Sequence, residues 1–233
     1  MLKKVLKWIL IAVLTLVVLT VAAIFVMDED LPDGKEGKEA DALAMKIYNN
    51  LNYQAFEATN TLTWSFPGGH HYEWYRNRGK VNVKWDENEV LLDLVQQKQS
   101  TILSPSETIS AEKKSDLINT ASNYFNNDSF WLIAPYKLFE KGVSRKLVSL
   151  ENGAEGLLVT YSQGGSTPGD SYLWTVDDQG RPQSYKMWVS IIPIGGLKAT
   201  WEEWKTTDTG AILASEHKIL FLNMKIKNIK AYN

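Results

Sequence analysis

The chain contains no cysteine among its 233 residues. This absence excludes disulfides, thiolate metal sites, cysteine nucleophiles and a lipidated N-terminal cysteine. It does not identify a cellular compartment, because many proteins of the bacterial envelope also lack cysteine.

The sequence has almost no net charge. Lys and Arg number 25 against 27 Asp and Glu, so the formal net charge is -2. Nucleic-acid binding needs a concentrated basic face, and we therefore expect no nucleic-acid partner. Neither a G-x-x-x-x-G-K phosphate loop nor a G-x-G-x-x-G fingerprint occurs, and we expect no cofactor.

One long hydrophobic run stands at the N-terminus, in the stretch MLKKVLKWILIAVLTLVVLTVAAIFVMDED. About 20 helical residues span a ~30 Å hydrocarbon core, and flanking lysines favour the cytoplasmic side. The sequence predicts a cytoplasmic stub over residues 1–4 and a single-pass anchor of the inner (cytoplasmic) membrane over residues 5–27. The remainder is then periplasmic. A cleaved secretory signal is the alternative interpretation.

Residues 28–39 are charged, contain proline and glycine, and have no apolar periodicity. They predict a linker, so that residues 40–233 form one extracytoplasmic domain. At the start of this domain, apolar residues recur at spacings of three and four, which predicts an amphipathic helix over residues 40–51.

Alternation of apolar and polar residues predicts strands through most of the domain. TLTWSF, HHYEWYRN, KVNVKW and VLLDLVQQ are short and separated by turn residues, which is typical of an antiparallel meander. Further strands are predicted in the C-terminal part, at residues 146–150, 156–162, 171–176, 183–192, 197–206 and 215–223, and in LNMKIKNIK.

Helical spacing interrupts these strands in SDLINTASNYF. The run Asn126-Asn127-Asp128 predicts the end of that helix, and Asp128 or Ser129 is expected to cap a second short helix before Pro135. The whole pattern predicts an α+β fold. We expect a curved antiparallel sheet of about ten strands, an incomplete barrel, with helices on its concave face and a transmembrane helix at the N-terminus.

The sequence offers few candidates for catalysis. His71 and Glu73 share one face of a strand and would give two metal ligands, with His217 as a distant third. Solvated histidines on a polar strand face are the simpler interpretation. Ser166 lies in a loop and lacks the G-x-S-x-G context of a nucleophile. We therefore expect no catalytic residues, no metal site and no enzymatic activity.

The apolar stretch NNDSFWLIAPYKLF is the main candidate for a binding function. Residues 130–133 are all large and apolar, so they point around most of a helix, and one side must meet something other than the sheet. The stretch either fills the core or also covers an apolar pocket, the common form of a small-ligand site. The candidate ligand-binding residues are Trp64, Phe66, Phe130, Trp131, Ile133, Tyr136 and Phe139.

Two segments carry a resemblance to a known family. YLWTVDDQGRPQSYKMWV is similar to a strand–turn–strand of the LolA-like superfamily, although Arg181 replaces its usual apolar residue. FWLIAPYKLFEKGV resembles a motif of the uncharacterised DUF6503-like envelope proteins. The resemblance implies an incomplete barrel, helices that act as a lid, lipid or lipoprotein cargo and no catalytic residue.

These observations favour a membrane-anchored protein that binds a hydrophobic small molecule or lipid without catalysis. The first alternative is an envelope protein–protein interaction module with a filled core, although the sequence identifies no partner. A metal-dependent hydrolase is the second alternative.

Overall fold

Fourteen strands and four α-helices form a mixed α+β architecture in the computed structural model, which describes residues 1–106, 109–164 and 167–233. The strands form two antiparallel sheets that do not close into a barrel. The predicted fold class is therefore confirmed.

The smaller sheet has the strand order β14-β1-β2-β3-β4-β5. Its strands β1 and β3 alternate buried with more exposed residues over most of their length, as the sequence pattern predicts for a sheet with one face against the core. Its strands are β1 Thr61–Phe66, β2 His70–Tyr75, β3 Lys80–Trp85, β4 Asn88–Asp93, β5 Thr101–Ser104 and β14 Lys227–Tyr232.

The larger sheet has the order β11-β12-β10-β9-β8-β7-β6, and β13 also pairs with β12. Its strands are β6 Val143–Ser149, β7 Glu155–Tyr161, β8 Ser171–Val176, β9 Pro182–Trp188, β10 Leu197–Thr200, β11 Glu202–Thr206, β12 Ile212–Ile219 and β13 Leu222–Lys225.

The two sheets are joined through one stretch of chain. β13 pairs with β12 of the larger sheet, and β14, which follows after Ile226 alone, pairs with β1 of the smaller sheet. The inner face of this joined sheet packs against the helices α2 and α4, and the opposite face is called the outer face below.

Several strand predictions differ from the structure. The predicted strand over residues 197–206 is divided at Trp201, and Glu203 has a left-handed φ of 52°. The predicted strand over residues 183–192 ends at Trp188, because the chain then enters a loop that contains Pro193. The turn at residues 220–221 likewise divides β12 from β13. The divisions at Trp201 and at residues 220–221, together with β5, for which no strand was predicted, raise the number of strands above the ten expected.

The N-terminal helix α1, Leu2–Met27, is long and apolar enough to cross a membrane. The following residues, 28–36, are called the connecting segment. They lie against the larger sheet: Lys35 forms an antiparallel bridge with Leu147 of β6. Composition indicates a linker here, but it does not indicate this packing.

Helix α2, Lys38–Asn50, follows the connecting segment, and the short helix α3, Tyr53–Ala58, follows α2. Of the predicted apolar stripe, Ala40, Ile47 and Leu51 are almost inaccessible to solvent, whereas Leu43 is partly exposed and Ala44 is buried beside them. Helix α2 packs against β6 and β7.

The prediction of two helices around residue 126 is wrong. A single helix α4, Ala111–Ile133, continues through Asn126-Asn127-Asp128, and a 3₁₀ turn, Ala134–Tyr136, follows it. Asp128 does not cap a helix start, because its buried carboxylate accepts hydrogen bonds from His70 and Tyr72 of β2. Ser110 caps α4 instead, and its hydroxyl accepts a hydrogen bond from the Lys113 N–H.

Helix α4 connects β5 to β6, the strands at the two ends of the joined sheet. It packs against strands of both sheets, chiefly β4 and β12. Because one helix serves both sheets, its side chains complete a single hydrophobic core between them.

Candidate hydrophobic-ligand site

The candidate residues lie in three groups along the inner face. In the first group, the ring of Trp64 stacks on Tyr72 with centroids 4.6 Å apart and lies 6.2 Å from Phe125 of α4. Trp64 is buried, and Phe66 packs against the same core while partly exposed. This group belongs to the smaller sheet.

The second group lies on the larger sheet, at the C-terminal end of α4. Phe130 contacts Tyr161 and Tyr172, with ring centroids 5.4 and 4.7 Å away. Trp131 contacts Tyr185 and His217 at 5.9 and 5.4 Å. Both Phe130 and Trp131 are partly exposed, so the helix presents an aromatic side chain on each side of its last turn.

The third group is near α2. The buried ring of Tyr136 stacks on Phe56 of α3 at 3.9 Å, and Ile133 is buried in the same core. Phe139 is half exposed, and the Arg145 guanidinium lies 4.2 Å from its ring centroid. The structure thus puts all seven candidates beside the core, but it does not bring them into one group.

The second group continues into a cluster that we call the aromatic layer, formed by residues of α4, β8, β9, β11 and β12 and by Trp201 between β10 and β11. Trp201 lies at its centre: the rings of Trp174, Trp204 and His217 are 5.4, 5.8 and 4.7 Å away. The members are Trp131, Trp174, Tyr185, Trp201, Trp204 and His217.

The polar atoms of the aromatic layer are poorly satisfied. The indole N–H groups of Trp174, Trp201 and Trp204 are buried and have no hydrogen-bond partner. Buried indole N–H groups normally find an acceptor, and those of Trp64 and Trp74 in the smaller sheet lack one as well. An apolar surface with a few directed donors is the chemistry that holds a lipid-like molecule.

His217 is the one ionisable imidazole of the layer. Its side chain is fully buried, and its Nδ1 lies 2.8 Å from the Thr200 carbonyl oxygen. Burial lowers the pKa of His217 to about 4, against the opposing effect of the Thr200 and Trp131 carbonyls. The imidazole is therefore neutral at pH 7, and the layer stays uncharged.

The described residues do not bring the candidate metal ligands together. His71 is exposed on β2 of the smaller sheet, where its Nδ1 lies 2.9 Å from the Ser65 hydroxyl, whereas His217 is buried in the larger sheet. Within residues 1–106, 109–164 and 167–233, no group of three His, Asp or Glu side chains could hold an ion. Ser166 lies outside the described residues.

Two open grooves lie on the outer face rather than beside the candidate residues. One, of about 560 Å³, is formed by the start of the connecting segment, the loop before β8 and the loop after β9. The other, of about 470 Å³, lies between the connecting segment and strands β6, β8, β9 and β10. Trp188 borders both grooves.

Sequence reasoning identified the helix side of the aromatic layer and missed much of its sheet side. Trp174, Tyr185 and Trp201 of the layer, and the neighbouring Tyr172, were not among the candidates. Alternation along YLWTV places Tyr172 and Trp174 on one face, so period-two spacing could have suggested them. The sequence could not predict which side chains α4 contacts, since sequence spacing does not show which strands a connecting helix crosses.

No protein-family model matches the sequence, and no curated protein matches it. Among solved structures, the chain is similar to a DUF1329 family protein from Desulfovibrio piger ATCC 29098. The two share 10% sequence identity with a TM-score of 0.42, over 84% of this chain and 94% of that chain. So distant a likeness carries no information about a ligand or an activity.

Proposed function

We propose that this chain is a membrane-anchored protein whose domain binds a lipid, an acyl chain or a similar hydrophobic molecule without catalysis. The observation that carries the proposal is the aromatic layer, with three buried indole N–H groups that have no acceptor. An ester, carboxyl or phosphate oxygen would accept these hydrogen bonds, while the aromatic rings would pack against the hydrocarbon.

Helix α4 is the element that would admit the ligand. Phe130 and Trp131 are partly exposed and also contact the buried rings of β8 and β9, so they connect the solvent with the aromatic layer. A small outward movement of the last turn of α4 would uncover the layer. In this proposal the stretch around Trp131 both fills the core and covers the site.

Helix α1 supports the membrane part of the proposal. Residues 3–27 form an apolar helix, and Lys3, Lys4 and Lys7 stand at its start. The positive-inside tendency would keep these lysines in the cytoplasm and put the domain on the periplasmic side of the inner membrane. Membership of the LolA-like superfamily, through a DUF6503-like family, is part of the same proposal.

Native mass spectrometry of the full chain, extracted in a mild detergent, tests the ligand. We expect a bound lipid on the wild type, and Trp131→Asp should lower the occupied fraction about tenfold, because a carboxylate in the layer opposes hydrocarbon. Asn119→Asp is the matched control, since Asn119 is exposed on the same helix. All variants share α1, so lipid held by the anchor is a common background.

A filled core that serves protein–protein interaction is the competing function, and one observation favours it. Trp64, Ile133 and Tyr136 are at most 3% exposed, which is how core side chains pack when no cavity adjoins them. If the wild type carries no more lipid than Trp131→Asp, and if that variant also unfolds at a much lower temperature, the ligand-binding proposal is wrong and the filled core is favoured.

A further inference from the structure

Four large apolar side chains are strongly exposed at one end of the larger sheet, and we call them the exposed rim. They are Ile191 at 71%, Leu220 at 61%, Phe221 at 89% and Leu222 at 58% exposure. Ile191 belongs to the loop between β9 and β10, and the others form the turn between β12 and β13 and the start of β13. A single exposed leucine needs no explanation, but a group of four does.

Strand register brings these residues to the same end of the sheet. Leu197, at the start of β10, pairs with Met187 near the end of β9, so the loop between them lies at this end. Ala199 of β10 pairs with Ile219, the last residue of β12. The turn that carries Phe221 follows immediately and is therefore a neighbour of the loop that carries Ile191.

Helix α1 ends at this same loop. The Gly195 N–H donates a 2.6 Å hydrogen bond to the Asp28 carboxylate, and the Glu29 N–H donates one of 3.0 Å to the Gly195 carbonyl. Met27 is the last helical residue, so no free chain separates the helix from the loop.

The junction is reinforced on the outer face. The Trp188 indole donates a 2.7 Å hydrogen bond to the Glu29 carbonyl, and the Lys186 ammonium contacts the Glu29 carboxylate. A Cβ atom at Gly195 would lie 2.5 Å from the Glu29 carbonyl oxygen, so the two backbones are as close as glycine permits. The loop that contains Ile191 is therefore held against the end of α1.

We propose that the exposed rim inserts into the interfacial region of the bilayer that α1 spans, on the side where α1 ends. This proposal rests on the proposed membrane anchoring. A helix of about 20 apolar residues crosses ~30 Å and places its last turn at the bilayer surface, and apolar side chains tied to that turn reach the same depth. The domain then stands on the membrane in one orientation, held by the anchor and by the rim.

This orientation places the proposed ligand site near the bilayer that would supply the ligand. His217 is two residues from the end of β12, and Tyr172 is the second residue of β8, so both lie in the half of the sheet nearest the rim. Phe130 and Trp131 contact these two side chains. The partly exposed Phe130 and Trp131 therefore contact the half of the sheet that faces the bilayer in this orientation.

The chain lacks cysteine, so a single introduced thiol can be labelled selectively. Phe221→Cys, labelled with the environment-sensitive fluorophore NBD, tests the rim in the full chain. The chain is reconstituted into vesicles of phosphatidylethanolamine and phosphatidylglycerol that contain lipid brominated near the headgroup. Val95→Cys is the matched control, since Val95 is an apolar residue with 79% exposure.

Val95 lies at the other end of the joined sheet. Strand pairing shows this step by step across the smaller sheet. Tyr232 of β14 pairs with Thr61, and Thr61 pairs with Tyr75. Tyr75 pairs with Lys80, and Lys80 pairs with Asp93, so the end of β4 is level with the end of β14. The eleven residues from Leu222, at the start of β13, to Tyr232 at that level correspond to ~30 Å of extended chain.

We expect the label at Phe221 to shift to the blue and to lose about half of its emission to the brominated lipid, with little change at Val95. If the chain floats with the vesicles but both labels respond alike, the rim proposal is wrong and the anchoring stands. If the chain does not float with the vesicles, the anchoring is wrong and the rim proposal falls with it.

Discussion

The hydroxyl of Tyr72 in β2 donates a 2.6 Å hydrogen bond to Oδ2 of Asp128 in α4. The same oxygen lies 2.7 Å from His70 Nδ1, and Asn127 donates to the other carboxylate oxygen at 2.8 Å. An ionised carboxylate only accepts, so the imidazole must donate from Nδ1. This buried polar contact holds α4 against the smaller sheet just before the last turn of the helix, which lies on the larger sheet.

Replacing Asp128 should therefore destabilise the domain. Asp128→Asn removes the charge and puts an amide donor where hydrogen-bond donors converge, and we expect the free energy of unfolding to fall by about 1–3 kcal/mol. Urea denaturation of the full chain in detergent measures the change. Asp116→Asn, at an exposed position of the same helix, should stay within about 0.5 kcal/mol of the wild type. Equal stability of the two variants would contradict the fastening role.

Tyr136→Phe separates a structural role from a ligand role at one candidate residue. The Tyr136 hydroxyl lies 2.8 and 2.6 Å from the carbonyl oxygens of Leu51 and Ile212, and it accepts a hydrogen bond from the Ile212 N–H at 3.0 Å. Its loss leaves buried backbone groups unpaired, and we expect a destabilisation of about 1–3 kcal/mol in urea. The exposed Tyr232→Phe is the control. A loss of bound lipid without a loss of stability would instead make Tyr136 a ligand contact.

Because His217 is buried, we expect the domain to lose stability in acid. Its pKa is about 4 in the folded chain, against about 6.5 when exposed, so below pH 6.5 the unfolded state binds a proton that the folded state does not. Stability from this group is complete above pH 6.5 and decreases as the pH falls towards 4, by about 3 kcal/mol in all. Urea denaturation from pH 7 to 4 measures it.

His217→Gln should flatten that pH dependence, whatever its own cost in stability. His71→Gln, at an exposed histidine, should keep the slope of the wild type. If the slopes of the wild type and His217→Gln coincide, the imidazole is not the group responsible.

Gly34→Ala should loosen the connecting segment. A Cβ atom at Gly34 would lie 2.9 Å from the Leu147 carbonyl oxygen, which is closer than side-chain carbons approach. The Leu147 amide, which donates to the Lys35 carbonyl at 2.8 Å, should exchange its hydrogen faster, while β6 amides bonded to β7 keep their protection. Asp33→Ala, at the exposed neighbouring position, is the control. Unchanged exchange at Leu147 would mean that the segment tolerates the methyl group.

Local pattern was sufficient for much of the fold. Period-two alternation located β1, β3 and β8 at their observed bounds, and the stripe of α2 was read from spacings of three and four. It was insufficient at residues 126–128. Asparagine and aspartate favour helix caps and turns. Only the hydrogen bonds of Asp128 to His70 and Tyr72, which are distant in sequence, explain why α4 continues there.

The sequence indicated the apolar character of the candidate site but not its location in the fold. The run of apolar residues at 130–133 indicated a helical stretch with apolar neighbours on more than one side, because residues in an unbroken run point around the helix. Which surface it meets depends on the strands that α4 crosses, and so Trp64 and Trp131 belong to different groups although both were expected to line one site.

The sequence by itself determined the apolar α1, the antiparallel strands and the abundance of aromatic residues in them, because each depends on residues close together in the chain. Only the tertiary structure decided that the connecting segment lies on the sheet, that the loop containing Ile191 is hydrogen-bonded to the residues that end α1, and that the turn containing Phe221 lies at the same end of the sheet. Those contacts join residues far apart in sequence, and strand register, which no local pattern encodes, brings them together.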